Sequence, residues 1–328
     1  MESWSTADIP PQQGRRAVVT GATGGLGYET ALALSAAGAH VVVAGRNPEK
    51  GAEALRRIRA AVPSADVRFE RLDLASLASV AAFAERLVAD GKPVDVLVNN
   101  AGVMALPRRL VTEDGFEMQL GTNYLGHFTL TARLLPALLR SDAARVVALS
   151  SLYHRRGTID IADLQMERSY SPNRAYAQSK LAMLLFAKEL QRRSDAQGWG
   201  LTSNAAHPGG ARTDLITNGP ASGGPSALAL LSRLLSPFLL QSAAAGALPT
   251  LYAATSPDAR GGTYYGPDGL AELKGAPRLA RESRLAGDAA LAARLWDVSE
   301  RLTDVSFASQ AHQARRESSQ PVAVGGAA

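Results

Sequence analysis

Seven runs of β-branched and apolar residues alternate with helical patterns of ten or more residues along most of this chain. The runs are Ala17–Thr20, His40–Ala44, Asp66–Glu70, Val94–Val98, Arg145–Leu149, Leu201–Ala206 and Gly262–Tyr265. Alternation of this kind predicts a parallel sheet, because each parallel strand pair needs a crossover, usually a helix. We therefore predict an α/β fold with a doubly wound parallel sheet of about seven strands and helices on both faces.

The length and the distribution of apolar residues favour one domain. A chain of 328 residues with 46% hydrophobic residues is long enough for one large α/β core and short for two. We predict an N-terminal arm over residues 1–14, a single domain over 15–307 and a flexible tail over 308–328, which is rich in Gln, Ser, Gly and Ala. Glycines before an apolar stretch suggest a substrate lid at about residues 215–237.

Composition excludes several classes of function. The chain has no cysteine, so disulfides, thiolate catalysis and cysteine-bound metal centres are ruled out, and no metal set is visible. The net charge of +5 is spread along the chain without basic runs, so no nucleic-acid partner is expected. The N-terminus lacks a signal-like apolar core, and Pro237 and Pro249 interrupt the longest uncharged stretch. No transmembrane segment and a cytoplasmic location are therefore expected.

A glycine-rich sequence follows the first predicted strand and opens the first predicted helix. Thr20–Gly27 reads TGATGGLG, in which glycines let the backbone approach a pyrophosphate and the helix N-terminus meets its charge. A glycine turn alone is weak evidence, because many tight turns need glycine for their backbone angles. Its position between a strand and a helix favours a dinucleotide site.

The residues after the second and third strands suggest which dinucleotide is bound. Arg46 stands where an NAD-specific site usually has an acidic residue. Its guanidinium suits a 2′-phosphate, which a carboxylate would repel. Asp73 and Leu74 follow the third strand and suit the adenine edge. We therefore predict NADP(H) as the cofactor.

Further polar residues are expected at the same edge of the sheet, where the strands end. Asn99–Gly102 follows the fourth strand, and Ser150 and Ser151 follow the fifth. Tyr176 and Lys180 lie four residues apart on a predicted helix and so share one face. An ammonium near a phenol favours the phenolate, so this spacing predicts a lowered Tyr176 pKa and a role in proton transfer.

These motifs together resemble the short-chain dehydrogenase/reductase family in its single-domain branch, with a Rossmann fold. The resemblance rests on matches in family order: TGxxxGxG at Thr20–Gly27, NNAG at Asn99–Gly102, Asn123, Ser151, YxxxK at Tyr176–Lys180, and Pro208, Gly209 and Thr213. Thr122–Phe128 and Leu295–Asp297 further resemble the retinol-dehydrogenase-like and protochlorophyllide-reductase-like group. Because the light-dependent reductases of that group use a cysteine, photochemistry is not expected here.

The resemblance implies a role for each catalytic residue. Tyr176 would be the acid or base at the substrate oxygen, and Lys180 would hold the nicotinamide ribose and lower the Tyr176 pKa. Ser151 would bind the carbonyl oxygen, with Ser150 as its rival for that role. Asn123 would bend its helix and anchor a water in a proton relay.

The resemblance also implies the cofactor contacts. They would come from Gly21, Gly25, Leu26, Gly27, Arg46, Asp73, Leu74, Asn99, Ala101, Gly102, Tyr176, Lys180, Pro208, Gly209 and Thr213. The implied reaction is NADP(H)-dependent interconversion of a carbonyl and an alcohol. The apolar face of the predicted lid suggests a hydrophobic small-molecule substrate.

Other functions and assemblies stay open at this point. A catalytically silent NADP(H)-sensing or scaffolding protein, and a lyase or epimerase on the same fold, are the alternatives, because fold does not fix function. Ser151 and Tyr176 are 25 residues apart, which is longer than the family's usual spacing. An extra loop there would obstruct the helix face that such proteins use to dimerise, so both a monomer and a homodimer stay open.

Overall fold

The computed structural model describes residues 3–210 and 241–318, and within these ranges one eight-stranded sheet organises the chain. The strands are β1 Arg16–Thr20, β2 His40–Gly45, β3 Val67–Arg71, β4 Val96–Asn99, β5 Arg145–Leu149, β6 Thr202–Ala206, β7 Tyr264–Pro267 and β8 Pro277–Leu279. Their order is β3-β2-β1-β4-β5-β6-β7-β8. The first seven are parallel, so the predicted doubly wound sheet is confirmed.

Helices cover both faces of this sheet. In the described ranges they are α1 Gly25–Ala36, α2 Pro48–Ala61, α3 Leu77–Ala89, α4 Gly126–Leu138, α5 Pro172–Gln197, α6 Ala243–Thr255, α7 Ala289–Thr303 and α8 Phe307–Ser318. Side chains of α1, α2 and α6 form one core with the sheet, while α3, α4, α5, α7 and α8 form the other. No helix among the described residues is long and apolar enough to cross a membrane.

Local sequence signals explain where the helices begin. The side chain of Asn47 caps α2 by accepting a hydrogen bond from the Lys50 amide, and Pro48 takes the first helical position, where no amide hydrogen is needed. Ser76 caps α3 in the same way. Helix α5 ends at Gly198, whose φ of 63° is the left-handed conformation that glycine adopts without steric cost.

The strand order places a topological switch between β1 and β4. Chain connections leave β1 toward β2 on one side and reach β4 on the other, so a crevice opens at the carboxyl ends of these two strands. The glycine-rich sequence follows β1 and Asn100 follows β4, so both lie at this crevice.

The structure contains a strand that the sequence did not predict, and it corrects the predicted C-terminal tail. The eighth strand is antiparallel to β7 and only three residues long, too short for a periodic pattern to reveal it. The predicted flexible tail is wrong for residues 308–318, which belong to α8 because Phe307 packs into the core. In the N-terminal arm, the Trp4 ring meets the Tyr252 ring edge-on at 5.3 Å between centroids.

Candidate active site

The glycine-rich turn fits tightly against the segment that follows β4. Gly21 has a φ of +65°, and a Cβ there would lie 2.9 Å from the Ala101 Cα. The Thr20 hydroxyl oxygen accepts hydrogen bonds from the amides of Asn100 at 2.9 Å and Ala101 at 3.0 Å. The Asn100 side chain donates to the Thr20 carbonyl at 2.7 Å. The two motifs therefore form one rigid edge of the crevice.

The N-terminus of α1 suits a phosphate group. Its N-cap is Gly24, which makes no side-chain capping bond, so the first amides of the helix are left for another acceptor. A Cβ at Gly27 would lie 2.5 Å from the Gly21 carbonyl oxygen, so the backbone here forms a cradle that only glycine permits. Gly25 and Leu26 are half-buried in this turn. These features fit a dinucleotide pyrophosphate.

The predicted adenosine contacts lie along the same edge, with one difference. Arg46 is exposed beyond β2 and makes no ion pair with the described residues. Asp73 accepts from the Ala75 amide at 3.0 Å, and Leu74 is buried. Asn99 differs, because its amide group is fully buried and donates to the Thr131 hydroxyl in α4 at 2.9 Å. The Asn99 side chain therefore contacts α4, and its role as a cofactor contact stays a prediction.

Ser151 lies two residues after β5, on the open side of the sheet. It caps the short helical turn Leu152–Arg156, and its hydroxyl lies close enough to the Tyr176 phenol to lower the pKa of that phenol. Ser150 is turned inward, where its hydroxyl donates to the Lys180 carbonyl at 2.7 Å. The two serines therefore differ in access, and the geometry favours Ser151 for substrate binding.

Tyr176 lies in the first turn of α5, 7% exposed, with its ring above the Lys180 ammonium, whose nitrogen is 5.7 Å from the ring centroid. Burial raises the Tyr176 pKa to about 12. Hydrogen bonding with Ser151 would lower this pKa, and the neighbouring Tyr153 raises it by a smaller amount. This direction is opposite to the sequence prediction, because burial removes the phenolate from water and so favours the neutral phenol. The groups of the chain thus keep the phenol protonated at neutral pH.

Lys180 is the buried cation of the site. It is 4% exposed and donates to the Leu149 carbonyl at 2.9 Å. Burial lowers its pKa to about 8. Gly102 lies beside it, since a Cβ there would be 3.6 Å from the Lys180 nitrogen and 3.1 Å from the Asn123 side-chain oxygen. The NNAG segment therefore reaches the catalytic residues as well as the crevice.

Asn123 lies in a π-helical segment, Gly121–Leu125, directly before α4, and the bend of its helix stays a prediction. Its side chain is fully buried, accepts from the Val103 amide at 2.7 Å and donates to the Val103 carbonyl at 2.9 Å. It also donates to the Ser179 hydroxyl at 2.9 Å, and Ser179 donates to the Tyr176 carbonyl. Asn123 thus joins the NNAG loop to α5, and the relay water stays a prediction.

His127 and the hydroxyl of Thr20 were not among the predicted site residues. His127 is fully buried, with Nδ1 2.8 Å from the Asn123 carbonyl oxygen and Nε2 2.9 Å from the Thr20 hydroxyl. Burial lowers the His127 pKa to about 3, so the ring is neutral. Because a carbonyl only accepts, Nδ1 carries the proton, and the Thr20 hydroxyl is placed to donate to Nε2. His127 therefore connects the glycine-rich turn to Asn123, a link that sequence spacing does not reveal.

The segment after β6 completes the site on the side opposite the glycine-rich turn. Gly209 has a φ of +61°, and the Pro208 carbonyl accepts from the Gln241 side chain at 2.7 Å. Thr213 and the predicted lid at 215–237 lie outside the described residues. The described part of the site thus holds Ser151, Tyr176 and Lys180 between two backbone turns that suit a dinucleotide.

Comparison with known proteins agrees with this arrangement. The profile described as short chain dehydrogenase matches residues 15–221. The chain is 46% identical to polyprenol dehydrogenase of Mus musculus over 90% of this chain and 85% of that protein. It is 44% identical to retinol dehydrogenase 13 of Mus musculus, over 93% and 87% respectively.

A solved structure is also similar along most of its length. A crystal structure of an uncharacterised protein from Mycobacterium Paratuberculosis has 42% sequence identity and a TM-score of 0.76. The match covers 93% of this chain and 99% of that one. The chain is therefore an oxidoreductase of the short-chain dehydrogenase/reductase family.

Proposed function

We propose that this protein is an NADP(H)-dependent reductase of long apolar aldehydes or ketones of the isoprenoid type. The observation that carries the proposal is the meeting of Ser151, Tyr176 and Lys180 beside a glycine-built phosphate cradle. The Ser151 hydroxyl orients the substrate carbonyl oxygen, and the Tyr176 phenol donates a proton to that oxygen as it gains charge. NADPH, when bound, supplies the hydride.

The protonation state of Tyr176 suits the role of proton donor in carbonyl reduction. Burial raises the pKa of this phenol to about 12, so the acid form dominates at neutral pH. Carbonyl reduction needs an acid at the substrate oxygen, whereas alcohol oxidation needs a base. Oxidation is therefore expected to require alkaline pH.

Two observations support an apolar isoprenoid substrate. The similar mouse enzymes are named for polyprenol and retinol, which are both isoprenoid alcohols. In this chain, the Tyr153 ring meets the Tyr176 ring edge-on at 5.5 Å and is 39% exposed. A half-exposed aromatic ring beside the acid offers an apolar contact for a prenyl chain.

The proposed function is tested with an aldehyde panel. We expect NADPH oxidation with all-trans-retinal and farnesal at a kcat/KM at least about 10-fold above that of butanal, since each buried methylene adds about 0.8 kcal/mol. Succinic semialdehyde, which carries a carboxylate, is the charged comparison. If succinic semialdehyde were the only substrate turned over, the proposed substrate class would be wrong. If the protein bound neither NADPH nor NADH tightly, the proposed cofactor site would be wrong. A cytoplasmic location stays a prediction from the sequence.

Cofactor preference gives a separate prediction. Arg46→Ala is expected to raise the KM for NADPH by about 10- to 100-fold, because hydrogen bonds to a charged group contribute about 1.5–3 kcal/mol. The KM for NADH is expected to stay within about twofold, since NADH lacks the 2′-phosphate. The measurement is initial rate against each nucleotide.

Arg56→Ala provides the matched control for Arg46. Arg56 is an exposed arginine of the neighbouring helix α2 and pairs with Glu53 one turn earlier. Its removal takes away the same charge without touching the end of β2. If both substitutions raised the KM for NADPH equally, Arg46 would contribute only to the general positive charge of this surface and would not bind the 2′-phosphate.

A further inference from the structure

The hairpin between β7 and β8 has a strained tip at Glu272. Ala271 and Glu272 have φ values of 52° and 58°, the left-handed region that residues with a Cβ rarely occupy. Such a conformation persists only where surrounding contacts impose it, and it is common at functional sites. The contacts of Glu272 therefore identify what the hairpin tip is held against.

The Glu272 carboxylate accepts hydrogen bonds from three separate segments. Arg155, four residues after Ser151, donates to Oε2 at 2.6 Å. His207, at the end of β6, lies 3.1 Å from the same oxygen, and the Arg281 amide donates to Oε1 at 3.0 Å. One carboxylate thus joins the segment after β5, the end of β6 and the segment that follows β8.

The tautomer of His207 determines which atom donates in its hydrogen bond to Glu272. The Gly209 amide donates to His207 Nδ1 at 3.1 Å, so that nitrogen is the acceptor and Nε2 carries the hydrogen of the neutral ring. Nε2 therefore donates to Glu272. Gly209 belongs to the Pro208–Gly209 turn of the site, so His207 connects that turn to Glu272 through one rigid ring.

Backbone contacts reinforce this connection. The Gly210 amide donates to the Leu273 carbonyl at 2.8 Å, and a Cβ at Gly209 would lie 2.4 Å from the same carbonyl oxygen. On the serine side, His154 Nδ1 lies 2.7 Å from the Ser151 carbonyl oxygen, and the Ser283 amide donates to His154 Nε2 at 3.2 Å. The hairpin is therefore attached to both turns that flank the reacting centre.

We propose that Glu272 is a positioning residue that sets the distance between the Ser151 segment and the Pro208–Gly209 turn, and hence between the substrate carbonyl and the nicotinamide. The proposal rests on the proposed reductase function and deepens it. Hydride transfer depends steeply on alignment, and a displacement of about 1 Å can cost about 100-fold in rate. Glu272 acts at a distance, because its contacts are to Arg155 and His207 rather than to the three catalytic side chains.

The charge on Glu272 is present across the working pH range. Partial burial opposes its ionisation, but hydrogen bonds from His207 and Arg281 and the Arg155 charge lower its pKa to about 2. The same carboxylate therefore accepts all three bonds at any pH where the enzyme is assayed.

Glu272→Gln tests this role, because the amide keeps the shape of the side chain but loses its charge. We expect kcat for retinal reduction to fall about 10- to 100-fold while the KM for NADPH stays within about twofold. Hydrogen exchange, measured by mass spectrometry, is expected to rise at the amides of Tyr153, His154, Gly209 and Gly210. Arg155→Gln removes the ion pair between Arg155 and Glu272 by changing the partly exposed arginine. We expect the same fall in kcat and the same rise in hydrogen exchange, but both smaller than in Glu272→Gln.

Glu282→Gln is the matched control, since Glu282 lies three residues after β8 and pairs with Lys188 on α5. This substitution is expected to leave kcat unchanged, together with the amide hydrogen exchange of the segments that follow β5 and β6. An unchanged kcat in Glu272→Gln, or faster exchange confined to residues 268–283, would overturn the proposal. If the wild-type chain reduces no aldehyde, the proposed function fails, and the exchange pattern alone decides whether Glu272 holds the two turns together.

Discussion

Tyr176→Phe is expected to lower kcat for carbonyl reduction by about 10²- to 10⁴-fold, the usual contribution of a positioned general acid. The substitution keeps the ring, which is 7% exposed and packs against Tyr153, so the helix and pocket should be unchanged. It removes the hydroxyl that lies close to Ser151 and that the proposed mechanism uses as the proton donor. The dissociation constant for NADPH, measured by nicotinamide fluorescence, is expected to stay within about threefold of the wild-type value.

Tyr252→Phe is the control for this loss. Tyr252 lies on α6, across the sheet from Tyr176, where its ring contacts Trp4 and Tyr265. Removing a phenol there should leave kcat within about twofold, as is usual for a residue remote from the reacting atoms. If Tyr176→Phe kept more than a tenth of the wild-type kcat, another group would have to donate the proton.

The fold was predictable because its signals are local. Each buried parallel strand is a run of apolar residues, and each crossover helix has its own periodicity and cap, so seven strands could be read from the chain. The eighth strand and helix α8 could not be predicted from the sequence. Their stability comes from tertiary contacts, such as the pairing of β8 with β7 and the burial of Phe307 beside Trp296.

The candidate site was predictable where a motif carries the chemistry. Ser151, Tyr176, Lys180 and the glycine-rich turn lie together as expected, because parallel strands end at one edge of the sheet. The sequence could not show that burial raises the Tyr176 pKa, since burial is a property of the folded chain. It could not show the links through His127 and Glu272 either, because those residues act across long separations in sequence.

Lys180→Met is expected to lower kcat by at least about 100-fold, comparable with loss of an acid–base group. Methionine matches the length of the lysine stem but carries no charge, so the site loses its buried ammonium and the donor to the Leu149 carbonyl. Lys188→Met, two turns further along α5, is the control, because Lys188 pairs with Glu282 away from the site. Similar losses in both variants would indicate damage to the helix rather than loss of a catalytic group.

The buried ammonium also predicts how stability depends on pH. The Lys180 pKa in the folded protein is about 8, below its ordinary value of 10.5, so the unfolded chain binds more protons between these values. Stability from Lys180 is therefore fully present above pH 10.5 and is lost as pH falls through 8. The free energy of unfolding of the wild type should rise between pH 8 and 10.5 by up to about 3 kcal/mol relative to Lys180→Met. Urea unfolding of both proteins at pH 7, 9 and 10 measures the difference, and a difference that does not vary with pH would mean that Lys180 is not buried as a charged group.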